Sequence, residues 1–298
     1  MLYLKSFDLP DESAEAAYIL SFPPKLEMSC YADSAYPFKI FPYKQLSHLA
    51  FAPITIFYGT NGSGKSTLLK ILAAKTGLRR RTDAGDSPCL EDYLPLCRYE
   101  TEEDRALPAY SRMIASEDVF DFLLDVQSTN AGLDTRREEL FQTYEQLKHE
   151  ADTGSPFQLR SLADYESLKQ RTEIRRSSKN QYVERRLPRH LCGKSNGESA
   201  YLYFTQTITE NALFLLDEPE NSLSAALQME LATFLEEAVR FYRCQLVIAT
   251  HSPFLLAMRE SRIYDLDETP ARVKPWTELS AVRLYQDFFR RHAKEFES

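Results

Sequence analysis

Apolar residues in this chain fall into short continuous runs separated by longer stretches of helical spacing. Ile54-Thr55-Ile56-Phe57-Tyr58, Ala212-Leu213-Phe214-Leu215-Leu216, Gln245-Leu246-Val247-Ile248-Ala249 and the shorter Arg262-Ile263-Tyr264 are each bounded by polar or turn residues. Such runs read as strands buried on both faces, and the helical patterns between them predict an α/β fold with a mostly parallel central sheet. The first 50 residues differ. Leu2 to Phe7 and the Tyr-, Phe- and Pro-rich stretch Tyr36 to Tyr43 predict short strands that form an antiparallel flank. From about 90 to 190 the spacing is helical, and Leu133, Leu140, Tyr144 and Leu147 keep one face apolar. That stripe spans barely two heptads, so it reads as a core-facing surface rather than a coiled-coil arm. Ala151 to Pro156 then breaks the helix. The pattern predicts a single domain over 1–298, with a helical subdomain at 90–190 inserted between the first strand–helix unit and the later strands.

Composition narrows the class. The chain has 298 residues, 43% of them hydrophobic, enough for a sizeable core, and a formal net charge of −8 argues against a wholly basic nucleic-acid-coating protein. The five cysteines, at 30, 89, 97, 192 and 244, form no C-x-x-C pair and read as reduced thiols. No leader-like pattern opens the chain, and no apolar run approaches the roughly 20 residues needed to cross a bilayer. A cytoplasmic protein without membrane insertion is expected.

Chemistry enters at Gly59-Thr60-Asn61-Gly62-Ser63-Gly64-Lys65-Ser66-Thr67, directly after the first buried run and before a helix-like stretch. This is the phosphate-binding loop pattern G-x-x-x-x-G-K-[ST] in its strand–loop–helix context. Successive backbone N–H groups and the helix N-terminus would cradle the phosphates of a nucleoside triphosphate. Lys65 would reach the β- and γ-phosphates, and Ser66 would hold Mg²⁺. Three of the chain's nine glycines sit in this loop, which weighs against an ordinary glycine-rich turn. The run Phe214-Leu215-Leu216-Asp217-Glu218-Pro219-Glu220 delivers two carboxylates from a strand end. Asp217 is the expected Mg²⁺ ligand and Glu218 the group that orients or deprotonates a water. Ile248-Ala249-Thr250-His251-Ser252-Pro253 ends another strand in a histidine able to donate toward a γ-phosphate or to hold that carboxylate. In Ser195-Asn196-Gly197-Glu198-Ser199, Ser195 and Glu198 read as a capping box, and a capped helix start with a glycine is also suited to an anion.

The order of these four motifs resembles the ATP-binding-cassette class of ATPases, in its soluble branch with RecF and the SMC heads. The motifs are most similar to short bacterial ATPases of the AAA-21/AAA-15 type. The resemblance implies a Mg²⁺-dependent ATPase that forms a head-to-tail homodimer with two ATPs at the interface. It further implies that Ser195 and Gly197 of one subunit contact the γ-phosphate bound by Lys65 of the other, with Glu218 catalytic and His251 the switch histidine. Two departures separate the chain from transporter subunits. Lys194-Ser195-Asn196-Gly197-Glu198 stands where they carry Leu-Ser-Gly-Gly-Gln, and Ser224 where they place an aspartate seven residues after the metal-binding one. The glutamine that usually follows the insertion's first strand is not identifiable, since Gln127 falls on a helix expected to begin near Ser116.

From Arg160 to Lys194, ten Lys/Arg stand against four Asp/Glu, and Arg79-Arg80-Arg81 adds a second basic cluster. Either could contact nucleic-acid phosphates, or simply form a solvated helical face. Asp265, Asp267 and Glu268 read as a strand-end turn before a metal site. The expected function is an ATPase whose ATP-dependent dimerisation switches a separate effector protein or a nucleic acid, in DNA maintenance or phage defence. The ATP-binding subunit of a membrane transporter is the alternative.

Overall fold

The computed structural model describes residues 1–20, 36–80, 88–153, 178–184, 186–187 and 195–296. Cys30, Cys192, Arg81 and most of the basic stretch Arg160–Lys194 lie outside the described residues. The chain forms two compact units, Met1–Phe120 with Asn196–Ser298, and Asp121–Ser195.

The strands of the first unit are β1 (Leu4–Asp8), β2 (His48–Ala50), β3 (Ile54–Tyr58), β4 (Arg98–Thr101), β5 (Arg112–Ile114), β6 (Leu213–Asp217), β7 (Gln245–Thr250), β8 (Ser261–Asp265) and β9 (Arg272–Lys274). Its helices are α1 (Glu12–Ile19), α2 (Ile40–Tyr43), α3 (Lys65–Thr76) and α4 (Pro88–Tyr93), and, after the second unit, α7 (Asn196–Thr207), α8 (Ala225–Phe241), α9 (Pro253–Leu256) and α10 (Ser280–Arg291). Between them run α5 (Ser116–Thr153), whose first turn belongs to the first unit, and α6 (Lys179–Glu184) of the second.

Six strands in the order β5-β6-β7-β3-β8-β9 make the main sheet, and only the β8–β9 pair is antiparallel. Every residue of β3, β6 and β7 is buried, as the continuous apolar runs require. Phe57, Leu213, Leu215, Val247 and Ala249 join one core cluster with Leu68, Leu69, Ile71 and Leu72 of α3. The alternating residues Phe214, Leu216, Leu246 and Ile248 are equally buried and face the other way. A three-stranded antiparallel sheet, β2-β1-β4, forms the flank. Gln245 stitches the two sheets together. Its buried amide oxygen accepts from the Tyr3 and Leu4 N–H groups at 2.7 and 2.8 Å, and its nitrogen donates to the Leu4 carbonyl at 2.8 Å.

Two element expectations are corrected. Tyr36–Tyr43 is a turn leading into α2 rather than a strand. Pro37 and Pro42 lack ladder donors, Lys39 sits at φ +68°, and the Lys39 N–H donates to the Glu15 carboxylate at 2.7 Å instead of to a neighbouring strand. The stretch after residue 90 is not helical throughout, because β4 and β5 lie within it. β4 pairs with β1 in the flank and β5 with β6 at the edge of the main sheet. In the second unit, Tyr144, Tyr182 and Val183 are buried together, with Leu140, Phe141 and Leu187 packed against them. Leu133 is half-buried, whereas the Leu147 side chain lies outside the described residues. Among the described residues, no helix is long and apolar enough to cross a membrane.

Candidate functional site

Strand register brings the motif residues together. Tyr58 lies opposite Thr250 and Asp265, and Asp217 lies opposite Ala249. The loops that carry Gly59, Glu218, His251 and Asp267 therefore leave the same edge of the sheet, at the carboxyl ends of its strands, where open α/β sheets bind ligands.

The loop from Gly59 to Gly64 joins β3 to the first turn of α3. Gly62 and Gly64 adopt φ +82° and +95°, which favour glycine. At Gly59 a Cβ would strike the Ser63 side chain. Lys65 is buried, and its Nζ donates to the Gly59 and Thr60 carbonyls at 2.8 and 3.2 Å. Nζ also stands 3.7 Å from Glu218 Oε1. The Ser63 hydroxyl is buried without a hydrogen-bond partner among the described residues, a donor that a phosphate oxygen would satisfy. Thr67 accepts from the Tyr36 hydroxyl at 2.7 Å, and Asn61 is exposed.

Ser66 Oγ donates to Asp217 Oδ1 at 2.9 Å. Burial pushes the Asp217 carboxyl up to about 6 from an ordinary 3.8, further raised by the charges of Glu218 and Glu117 and opposed by the Ser66 hydrogen bond and Lys70. A hydroxyl and a carboxylate are hard oxygen donors suited to Mg²⁺, and the raised value marks a carboxylate short of positive charge. The two residues fit that ion. Glu218 follows in the left-handed region at φ +46°, uncommon for a non-glycine residue. Its N–H is held by the Ala249 carbonyl at 2.9 Å, and its Oε2 accepts from Asn221 Nδ2 at 3.3 Å.

His251 is half-exposed and reaches the cluster through its neighbours, with Nδ1 at 3.3 Å from Glu220 Oε1. The direct contacts of the site thus join Gly59, Thr60, Lys65, Ser66, Asp217 and Glu218. Gly197, in the first turn of α7, instead approaches Ser222 and Leu227, where an added Cβ would lie 3.1 Å from the Ser222 carbonyl and the Leu227 side chain. Ser195 immediately precedes that helix and belongs to the other unit.

Two acidic residues that the sequence motifs do not assign to the site bear on it. One is Glu220, which accepts from the His251 N–H at 2.9 Å. Asp267 grips the phosphate loop, accepting from Thr60 N at 2.8 Å and Thr60 Oγ1 at 2.9 Å. Asp265 caps the Asp267 N–H at 3.0 Å, and Lys274 bridges Asp265 and Glu268 at 3.2 and 2.6 Å. This trio is a strand-end turn, and the described residues contain no metal-ligating cluster of three or more His, Cys, Asp or Glu. The acid count after each strand was the available signal for both residues, but a turn explains it equally well from sequence.

A family model described as "AAA domain, putative AbiEii toxin, Type IV TA system" matches residues 88–257, a span that includes Asp217, Glu218 and His251. No curated protein sequence matches the chain. Among solved structures, one similar chain is the Smc head domain with an extended coiled coil, bound to the C-terminal domain of ScpA, from Pyrococcus furiosus. That likeness has 12% identity and a TM-score of 0.42, over 98% of this chain and 100% of the other. A structure described as "An inward-facing conformation of a putative metal-chelate type ABC transporter" is similar at 18% identity and a TM-score of 0.36, over 78% of this chain and 76% of the other.

Proposed function

Since this chain belongs to the AAA_21 family of P-loop ATPases, we propose that it hydrolyses ATP and uses ATP-dependent pairing of two copies to switch a separate effector protein. The observation that carries the reading is the meeting of phosphate loop and strand-end carboxylates. Ser66 donates to Asp217, and Lys65 lies 3.7 Å from Glu218.

In this reading Gly59 to Thr67 hold the phosphates. Lys65 exchanges its carbonyl partners for phosphate oxygens, and Ser63 gains the acceptor it lacks. Ser66 and Asp217 would hold Mg²⁺, which neutralises phosphate charge when bound. Glu218, released from Lys65, orients or deprotonates the attacking water, and His251 completes the γ-phosphate contacts from the neighbouring strand. Ser195 and Gly197 would meet the γ-phosphate of a second copy. The left-handed backbone of Glu218 supports a functional role, since such strain clusters at active sites. A protein effector is favoured as the switched partner because the family's description names a toxin and a toxin–antitoxin system.

Sedimentation velocity of the Glu218→Gln variant tests the switch. A monomer without nucleotide that becomes a dimer with ATP and Mg²⁺ is the expected result. A species of unchanged mass under both conditions would overturn it.

A further inference from the structure

Glu220 belongs to none of the roles assigned above, yet it is the most heavily engaged carboxylate at this edge of the sheet. It is 5% exposed. Its Oε1 accepts from Thr250 Oγ1 at 2.6 Å, from His251 N at 2.9 Å and from Ser252 N at 3.1 Å. The same oxygen lies 3.3 Å from His251 Nδ1, an ion-pair contact rather than an aligned hydrogen bond. Oε2 is buried without a hydrogen-bond partner among the described residues. A carboxylate serving only as a buried strut would be expected to spread its donors over both oxygens. Here all of them converge on the oxygen that faces His251, so the place of that oxygen and the shape of the 250–252 turn are set together. Gln228 holds the turn from its other side, accepting from Ser252 Oγ at 2.7 Å while donating to the Leu223 carbonyl at 2.9 Å.

We propose that Glu220 is the positioning residue for His251, fixing both the backbone turn that carries the imidazole and the tautomer it presents. The proposal rests on the reading of His251 as a γ-phosphate contact. A carboxylate oxygen beside Nδ1 repels that nitrogen's lone pair and favours a proton there, so Nε2 is the ring atom turned to the nucleotide. A free neutral imidazole favours the opposite tautomer, and Glu220 reverses that preference. The last acid of the Asp-Glu-Pro-Glu run thereby links the strand end of Asp217 and Glu218 to the strand end of His251.

Long-range ¹H–¹⁵N spectra of the full chain, which has five histidines, report the tautomer directly, with His251 assigned by its loss in His251→Asn. The wild type is expected to show the Nδ1–H form. Glu220→Gln, which keeps an acceptor oxygen, is expected to retain it, and Glu220→Ala to lose it. Glu220→Leu keeps the volume without the acceptor and serves if the alanine variant does not fold. In turnover, Glu220→Ala is expected to lower kcat about a hundredfold through misplacement of the ring, with KM within about twofold. It should add nothing on a His251→Ala background, whereas a merely structural loss would multiply with it. An Nε2–H wild type, an unchanged tautomer in Glu220→Ala and Glu220→Leu, or multiplying kcat effects would overturn the proposal. A wild type without turnover whose His251 tautomer still follows Glu220 would sink the ATPase reading and leave the positioning role standing.

Discussion

The Ser66 hydroxyl donates to Asp217 Oδ1 at 2.9 Å across 151 residues of sequence, joining the first turn of α3 to the end of β6. Neither strand nor helix alone brings an oxygen pair of this kind to the phosphate loop. Ser66→Ala removes one oxygen and leaves the loop backbone intact. The expected outcome is a folded protein whose Mg²⁺-dependent turnover drops about a hundredfold, the scale of losing one aligned polar contact in a transition state. A Mg²⁺ titration of ATP turnover measures it.

Asp217 gives the site a pH signature. Its carboxyl is raised to about 6 from 3.8, so the folded state binds the proton more tightly than the unfolded state does. Stability therefore falls as pH rises through the window from about 4 to 6, by up to roughly 3 kcal/mol for a shift of about two units. Asp217→Asn keeps an acceptor for Ser66 without the buried charge. The ligand-free variant is expected to melt several degrees above wild type at pH 8 and to match it near pH 4. Mg²⁺ affinity moves in the opposite sense, weakening as pH drops below about 6, because the ion and the proton compete for the Asp217 carboxylate of the ligand-free protein. Melting curves at the two pH values, beside Mg²⁺ titrations of turnover across the same window, check both signs.

Gln245 predicts a purely structural effect. Replacing it by leucine strands the buried N–H and carbonyl of Leu4 and leaves the half-buried Tyr3 N–H without its acceptor. Each unsatisfied group costs about 1–3 kcal/mol, so Gln245→Leu should lose about 3–5 kcal/mol in a urea titration. Its effect on nucleotide binding at subdenaturing concentrations should be small.

Asp267 should act on the nucleotide rather than on the fold. It is exposed, and among the described residues its bonds reach only Thr60 on the phosphate loop and its own turn. Asp267→Ala leaves the loop less ordered before binding. The loss expected is about three- to tenfold in ATP affinity, the size of one exposed charge-assisted contact, with little change in melting temperature. A fluorescent-nucleotide titration reads the first quantity.

The parallel sheet was legible because β3, β6 and β7 are buried on both faces and must therefore be written in continuous apolar residues. The strand-end placement of the phosphate loop, Asp217, Glu218 and His251 was legible because each follows or closes a continuous apolar run. β4 was not, since Arg-Tyr-Glu-Thr leaves Arg98, Tyr99 and Glu100 exposed and gives no buried run. β5, three residues long, carries too little pattern to separate from the helix that follows. Tyr36–Tyr43 misled because aromatic residues favour strands, whereas the local prolines and the bond from Lys39 to Glu15 settle the backbone otherwise. Glu220 and Asp267 work through partners 31 and 207 residues away, and no local spacing encodes such pairings.

In the proposed function, the loop at 59–66 and the carboxylate of Glu218 form one hydrolytic site. Steady-state ATP hydrolysis by wild type and Glu218→Gln, with nucleotide binding measured on the same samples, tests it most directly. Glu218→Gln is expected to bind ATP as tightly as wild type and to turn it over at least about a hundredfold more slowly, the scale of a general base. Equal rates for the two proteins would rule out such a site.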